Sequence, residues 1–304
     1  MFQRGGLFGL HGCTRHPQLS SHALEQWIEA EGVQLRVVSE GEGPPVLVLH
    51  GFTGSAESMA CVSEELRSNH SVHRVDLVGH GGSDSPASTA AFQMSACVDQ
   101  LLVVMDRLGV NQAVLVGYSM GARAALSFAV SHPERVSELV LIGVSPGLAS
   151  SEERESRKKS DEELADRVLN IGVEAFVDEW MAKPIFSSQK RLGETERARS
   201  RAERLNGSAH GWAQSLRGMG TGAMRPLHAD LSSLMCPVLL VVGEEDEKFK
   251  ALAQTMLESL PRGELALIEE AGHAAHLEQP KGFASSFHQF LQSHRRHSVL
   301  PETA

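Results

Sequence analysis

The chain has 304 residues, a formal net charge of −10 at pH 7, 41% hydrophobic residues and only 5% aromatic residues. A chain of this length can bury a large core, and the scarcity of aromatic residues predicts that this core is aliphatic. The acidic balance argues against nucleic acid or an anionic membrane surface as the main partner. No apolar stretch approaches the roughly 18 residues that span a bilayer.

The cysteines are scattered and lack the spacing of metal ligands, which indicates reduced thiols and a cytoplasmic protein. They are Cys13, Cys61, Cys97 and Cys236. Residues 1–25 contain an apolar part that is too short and too interrupted for a secretory signal. We therefore expect residues 1–25 to be a disordered extension, an expression remnant or the result of a misplaced start codon. Residues 296–304 are expected to form a flexible tail.

The first predicted element is an antiparallel hairpin within residues 26–44, where apolar and polar residues alternate around Glu31-Gly32. Short aliphatic runs follow: PVLVLHG, HSVHRVDLVGHG, QAVLVGYS, VSELVLIG, CPVLLVVGEED and a weaker ELALIEEAGH. Between them lie helix-like segments at about 91–108, 120–131, 249–260 and 280–294. Strands that are apolar on both faces are typical of a parallel sheet covered by helices. The predicted fold class is therefore α/β, with a mostly parallel central sheet built from residues 26–145 and 227–295.

Residues 146–226 interrupt this alternation, because they hold charged, helix-like sequence without a strand signal. Within them Leu164, Val168, Ile171 and Ala175 repeat at four-three-four spacing, the pattern of an amphipathic helix. An insertion between two parallel strands lies over their carboxyl ends, where such sheets bind ligands. We therefore predict a helical lid at residues 146–226.

The segment GYSMG places Ser119 between two glycines at a strand-to-helix junction, the pattern of a nucleophile elbow. Such an elbow predicts an acid after a later strand and a histidine after the last strand. Asp246 stands at the first of these positions, with Glu244 and Glu245 as alternatives, and His273 stands at the second. The sequence thus predicts a catalytic triad of Ser119, Asp246 and His273 on an α/β-hydrolase fold.

Two backbone N–H groups are predicted to stabilise a developing oxyanion: that of Phe52 in LHGFTGS and that of Met120 at the start of the elbow helix. His50 is expected to shape the oxyanion loop, and His276 is expected to have an orienting or structural role. The segment DLVGHGGSD fails as a phosphate loop, because Asp84 occupies the third glycine position. We therefore expect no nucleotide site.

Arg123 follows Ser119 by one helical turn and lies on the same face of the elbow helix. It could hold a substrate anion or pair with a surface acid. The lid holds further cations: Arg154, Arg157, Lys158, Lys159, Arg197, Arg199, Arg201 and Arg204. Most are expected to form a solvated face, but a lid gives a few of them access to the pocket. Because arginine binds carboxylates bidentately, this pattern indicates an anionic small-molecule substrate.

Six stretches together resemble the 2-succinyl-6-hydroxy-2,4-cyclohexadiene-1-carboxylate (SHCHC) synthases, a menaquinone-pathway family of α/β hydrolases. They are LHGFTGS, DLVGHGGSD, VGYSMGARAAL, SLRGMGTGAMRPL, GEEDEKF and AGHAAHLEQP. The likeness runs from about Trp27 to Leu291. It implies a lyase that eliminates pyruvate from 2-succinyl-5-enolpyruvyl-6-hydroxy-3-cyclohexene-1-carboxylate. Ser119, made basic by His273 and Asp246, would remove a ring proton without forming an acyl-enzyme. The resemblance also implies that neither a metal nor an organic cofactor takes part.

The resemblance also implies a set of substrate contacts: Tyr118, Arg123, Arg157, Trp180, Phe186, Arg201 and Lys248. Tyr118 and the two aromatic residues could instead be structural, and Lys248 could belong to a local salt bridge. The main alternative activity is hydrolysis of an ester or a carbon–carbon bond in an anionic substrate. A ligand receptor that keeps the triad is a third alternative. The sequence does not predict an oligomeric state.

Overall fold

The computed structural model describes residues 23–295. Within them, eight strands follow the predicted aliphatic runs: β1 (Leu24–Ala30), β2 (Val33–Glu40), β3 (Pro45–Leu49), β4 (Ser71–Val75), β5 (Ala113–Tyr118), β6 (Val136–Ile142), β7 (Val238–Gly243) and β8 (Gly263–Ile268). They form one sheet in the order β1-β2-β4-β3-β5-β6-β7-β8. Strands β3 to β8 run parallel to one another, whereas β2 is antiparallel to both β1 and β4.

The predicted hairpin is confirmed as β1 and β2. Glu31 and Gly32 connect them with φ angles of 52° and 80°, the left-handed backbone of a tight hairpin turn. Because β1 begins at Leu24, the predicted boundary of the extension at residue 25 is too late. The rest of that extension and the predicted tail lie outside the described residues.

Helices cover both faces of the sheet: α1 (Ala60–Leu66), α2 (Met94–Arg107), α3 (Met120–Ser131), α4 (Ser151–Met181), α5 (Glu194–Leu205), α6 (Ala209–Met219), α7 (Glu247–Leu257), α8 (Ala275–Glu278) and α9 (Pro280–Arg295). One aliphatic core cluster joins the sheet to α2, α3 and α7, and a second joins the opposite face to α1 and α9. This arrangement confirms the predicted α/β fold class with a largely aliphatic core. The short α1 lies in a segment for which no helix was predicted.

The lid sequence leaves the sheet after β6 and returns to it before β7. It consists of α4, α5 and α6 with a short 3-10 segment, Pro184–Arg191, between α4 and α5. Helix α4 is broken at Gly172, whose φ of 77° is not helical. A third core cluster, which includes Phe176 and Trp212, joins α4 to α6. No helix within residues 23–295 is both long and apolar enough to cross a membrane.

Candidate active site

Ser119 lies at the tip of the turn between β5 and α3. Its φ of 51° and ψ of −104° are a strained conformation for a residue with a side chain, as expected at a nucleophile elbow. Side chains are excluded on both sides of it. A Cβ on Gly117 would overlap the backbone of Gly121, and a Cβ on Gly121 would overlap the carbonyl of Leu49. The two glycines of the motif therefore allow α3 to pass close to the sheet.

The three predicted triad residues form a hydrogen-bonded chain with His273 in the middle. His273 Nε2 lies 3.0 Å from Ser119 Oγ, and His273 Nδ1 lies 2.8 Å from Asp246 Oδ2. Asp246 also accepts a hydrogen bond from the backbone N–H of Phe249 at the start of α7. Among the acids considered, Asp246 contacts His273, while Glu245 pairs with an arginine at the surface. This geometry suits proton transfer between the serine and the histidine.

The two residues predicted as oxyanion donors line the cavity that contains the serine. Phe52, Met120 and Ser119 line the same cavity, and Met120 is the first residue of α3. His50 makes two contacts beside the turn that carries Phe52. Its Nε2 accepts a hydrogen bond from the N–H of Leu77 at 3.0 Å, and its Nδ1 lies 2.8 Å from the carbonyl oxygen of Gly51. Burial lowers the pKa of His50, which keeps the ring neutral in this arrangement.

Glu278, which the sequence analysis did not single out, holds the loop that carries His273. Its carboxylate accepts from the N–H of Gly272 at 2.8 Å and from the N–H of Ala274 at 3.2 Å. The neighbouring His276 is buried, and burial lowers its pKa to about 3. Its ring packs on Tyr118, with 4.6 Å between the ring centroids, so its role is structural. The only signal for Glu278 was an acid five residues after the predicted catalytic histidine.

Most predicted substrate contacts line one cavity between the lid and the carboxyl ends of the strands. They are Tyr118, Arg123, Arg157, Trp180, Phe186 and Lys248, together with Ser119 and His273. Trp180 and Phe186 pack edge to face and form one wall. Burial raises the pKa of Tyr118, so its hydroxyl stays protonated.

Arg123 is a partly buried cation. Its guanidinium donates to the carbonyl of Met219 at the end of α6, and it forms no salt bridge within the described part of the chain. Burial, together with the positive charge of nearby Arg157, lowers the pKa of Arg123 to about 10. The alternative of pairing with a surface acid is therefore not seen. Lys248 likewise has no carboxylate within salt-bridge distance among residues 23–295, in contrast to the local pair considered for it.

Comparison with known proteins places this site in a family. A family model described as the alpha/beta hydrolase fold matches residues 44–280. A Bacillus subtilis (strain 168) protein, provisionally named 2-succinyl-6-hydroxy-2,4-cyclohexadiene-1-carboxylate synthase, is 41% identical over 87% of this chain and 97% of its own length. The Escherichia coli O1:K1 / APEC protein of the same name is 31% identical over 82% of this chain and 94% of its own length. This chain belongs to the SHCHC synthase family of α/β hydrolases.

A solved structure of this family supports the assignment. The structure of MenH from S. aureus aligns with a TM-score of 0.80 and 31% identity, and the alignment covers 90% of this chain and 99% of that chain. At this level of similarity the likeness extends over the sheet and the lid together.

One predicted contact of this SHCHC synthase family member lies away from the cavity. Arg201 pairs with Asp178 at 2.6 Å and with Glu174 at 3.1 Å on the outer surface of the lid. Arg204 instead turns inward, with its Nε 3.2 Å from Thr53 Oγ1 beside the oxyanion turn. Burial lowers the pKa of Arg204, which has no salt bridge within the described residues. Arg201 does not reach the cavity because two acidic residues of α4 hold its guanidinium at the outer surface of the lid.

Proposed function

We propose that this protein is an SHCHC synthase of menaquinone biosynthesis, a lyase that eliminates pyruvate from 2-succinyl-5-enolpyruvyl-6-hydroxy-3-cyclohexene-1-carboxylate. The observation that carries the proposal is that Ser119 and Arg123 line the same cavity. Ser119 is hydrogen-bonded to His273, and Arg123 forms no salt bridge with a carboxylate of the described residues. The identity of 41% to the named Bacillus subtilis synthase supports it. A catalytic triad alone is compatible with many reactions, but a cation beside it favours a reaction on an anionic substrate.

The proposed reaction begins with the triad as a base. Asp246 holds the imidazole of His273, whose Nε2 takes the Ser119 proton as the serine oxygen removes the proton from ring carbon 2. The electrons of that carbon–hydrogen bond form the 2,3 double bond, the 3,4 double bond shifts to 4,5, and the bond from carbon 5 to the enolpyruvyl oxygen breaks. Enolpyruvate takes a proton and becomes pyruvate. The elimination is redox-neutral, and as written it needs neither a metal nor an organic cofactor.

Two groups of residues would stabilise the charge of this reaction. As the ring proton leaves, negative charge builds on the succinyl carbonyl oxygen, and the backbone N–H groups of Phe52 and Met120 are the proposed donors to it. Their location in the lining of the same cavity as Ser119 supports this role. The substrate carries three carboxylates, and Arg123, Arg157 and Lys248 supply cations around the cavity. A protein with a net charge of −10 thus presents a locally positive pocket. The cytoplasmic location stays a prediction.

The test is pyruvate release from the enolpyruvyl substrate, followed through lactate dehydrogenase and the consumption of NADH. A panel of p-nitrophenyl esters is run beside it, and Ser119→Ala is the matched control for both assays. Rapid pyruvate release with weak ester cleavage, both lost in Ser119→Ala, is the expected result. Strong ester cleavage without pyruvate release would reject the synthase activity and favour the hydrolase alternative.

A further inference from the structure

Asp161 is a buried carboxylate of the lid that the proposed reaction does not use. It lies on α4 and is only 4% exposed. Its Oδ1 accepts a hydrogen bond from Arg157 Nε at 2.8 Å, and the backbone N–H of Gly222 also stabilises the charged carboxylate. Its Oδ2 has no partner of full hydrogen-bonding geometry within residues 23–295. Burial raises the pKa of Asp161, and the charge of Arg157 acts in the opposite direction. Burying a carboxylate in this way costs stability, which calls for a functional reason.

Two arginines from different elements line the cavity and interact electrostatically with this carboxylate. Arg157 belongs to α4 of the lid, and Arg123 belongs to α3 behind the catalytic serine. The charge of Arg157 lowers the pKa of Arg123, whereas the charge of Asp161 raises it. Asp161 therefore offsets the repulsion between a guanidinium on the core and a guanidinium on the lid.

The glycine-rich stretch LRGMGTG makes room for this arrangement. A Cβ on Gly220 would overlap Asp161 Oδ2, and a Cβ on Gly222 would lie 2.6 Å from the carbonyl oxygen of Arg154 and 3.1 Å from Arg157 Cβ. These two glycines therefore let the end of α6 approach α4 at the turn that carries Arg157 and Asp161. The close approach explains a motif that the catalytic triad leaves unexplained.

We propose that Asp161 is a positioning residue that holds Arg157 opposite Arg123 as a preset clamp for one substrate carboxylate. With its Nε held by Asp161, Arg157 keeps both terminal nitrogens for the cavity that it lines. The guanidinium groups of Arg123 and Arg157 together with the carboxylate of Asp161 have a net charge of about +1. This net charge complements a singly charged carboxylate better than it complements a dianion. The identity of the substrate rests on the proposed function, whereas the clamp itself requires only an organic carboxylate.

The test is a double-mutant cycle in the pyruvate-release assay. Asp161→Ala and Arg157→Ala are each expected to raise KM about 10-fold with kcat within about threefold, because each loses a charge-assisted hydrogen bond. In the Arg157→Ala background, Asp161→Ala should raise KM no further, since Asp161 acts through Arg157. An additive effect of Asp161→Ala in that background, or a loss of kcat at constant KM, would overturn the proposal. Asp161→Asn, which keeps an acceptor for Nε, serves as the second variant if Asp161→Ala fails to fold.

A binding experiment separates this proposal from the proposed function. Benzene-1,3,5-tricarboxylate is titrated calorimetrically into the wild type, Asp161→Ala and the control Glu163→Ala, which alters an exposed acid of the same helix. We expect about 10-fold weaker binding in Asp161→Ala and no change in Glu163→Ala. If this pattern appears but the wild type releases no pyruvate, the synthase activity is rejected and the clamp stands. If pyruvate is released but Asp161→Ala changes neither KM nor tricarboxylate binding, the clamp is rejected.

Discussion

Glu278 accepts hydrogen bonds from the backbone N–H groups on both sides of His273, at 2.8 Å from Gly272 and 3.2 Å from Ala274. The histidine is thus held twice, because Asp246 holds its ring while Glu278 holds its backbone. Both oxygens of Glu278 are used, one for each N–H. The loop after β8 therefore depends on a carboxylate that touches no reacting atom.

Glu278→Gln should lower kcat about 10-fold and leave KM unchanged. Glutamine offers one acceptor oxygen and would turn its NH₂ group toward the second backbone N–H, so His273 loses its alignment with Ser119. The measurement is steady-state pyruvate release together with the rate of Ser119 labelling by a fluorophosphonate. Glu269→Gln, at an exposed position of the same region, is the control. A higher KM with an intact kcat would contradict a positioning role.

Ser119→Ala should reduce turnover by about 10³-fold or more, because the serine oxygen carries the proton in the proposed reaction. Binding of the substrate, measured by calorimetry, should stay within about threefold of the wild type. Substantial pyruvate release by this variant would show that another group removes the ring proton.

Arg123→Met should raise KM between about 10-fold and 100-fold, since it removes a charge-assisted hydrogen bond from a partly buried site. The change in kcat should be much smaller. Arg217→Met, which alters a lid arginine already paired with Glu162 and Asp166, is the matched control. An unchanged KM in Arg123→Met would remove the carboxylate-binding role of Arg123.

Two arginines of α5 give a direct comparison between the sequence prediction and the structure. Arg204→Gln should raise KM by about 10-fold, because the partly buried guanidinium of Arg204 lies beside the oxyanion turn without a salt bridge among the described residues. Arg201→Gln should leave KM unchanged, because Arg201 pairs with lid acids at the surface. The measurement is KM from steady-state kinetics of both variants. A raised KM in Arg201→Gln with an unchanged KM in Arg204→Gln would support the sequence prediction instead.

Stability should fall as the pH decreases from about 6.5 toward 3. His80 and His276 are buried, and burial lowers the pKa of each to about 3. The unfolded chain therefore binds protons below pH 6.5 that the folded chain does not, and each histidine lowers the free energy of unfolding by about 2 kcal/mol at pH 5. Urea unfolding at pH 7.5 and pH 5 measures the loss. His276→Phe should make this loss smaller by about 2 kcal/mol at pH 5, while the other buried histidines keep the rest of it. An unchanged pH dependence in this variant would contradict the assignment.

The sheet and the triad could be predicted because each of them restricts the residue types at particular positions in the sequence. Buried parallel strands demand unbroken aliphatic runs, and the elbow demands Gly117 and Gly121, since only glycine fits beside Ser119. The order of serine, acid and histidine then follows from the order of the strands. The sequence alone could not decide which of the neighbouring acids Glu244, Glu245 and Asp246 belongs to the triad. The hydrogen bond between Asp246 and His273 identifies Asp246.

The lid contacts could not be predicted to the same extent. Helix α5 carries charges around most of its surface, so no apolar stripe indicates which side of it faces the cavity. Arg201 and Arg204 are separated only by the tertiary position of Asp178 and Glu174. The role of Asp161 was hidden for a related reason, because a lid acid one turn after Arg157 is typical of an ordinary surface pair.

Phe52 joins the oxyanion turn to the lid. Its ring contacts Trp180, Phe176 and Trp212, with centroid separations of 5.0, 6.4 and 6.3 Å, while its backbone belongs to the proposed oxyanion site. The position of this turn therefore depends on aromatic side chains of the lid as well as on the strand that precedes it. A substitution that shortens one of these lid rings would alter the packing around the proposed oxyanion site without touching the triad.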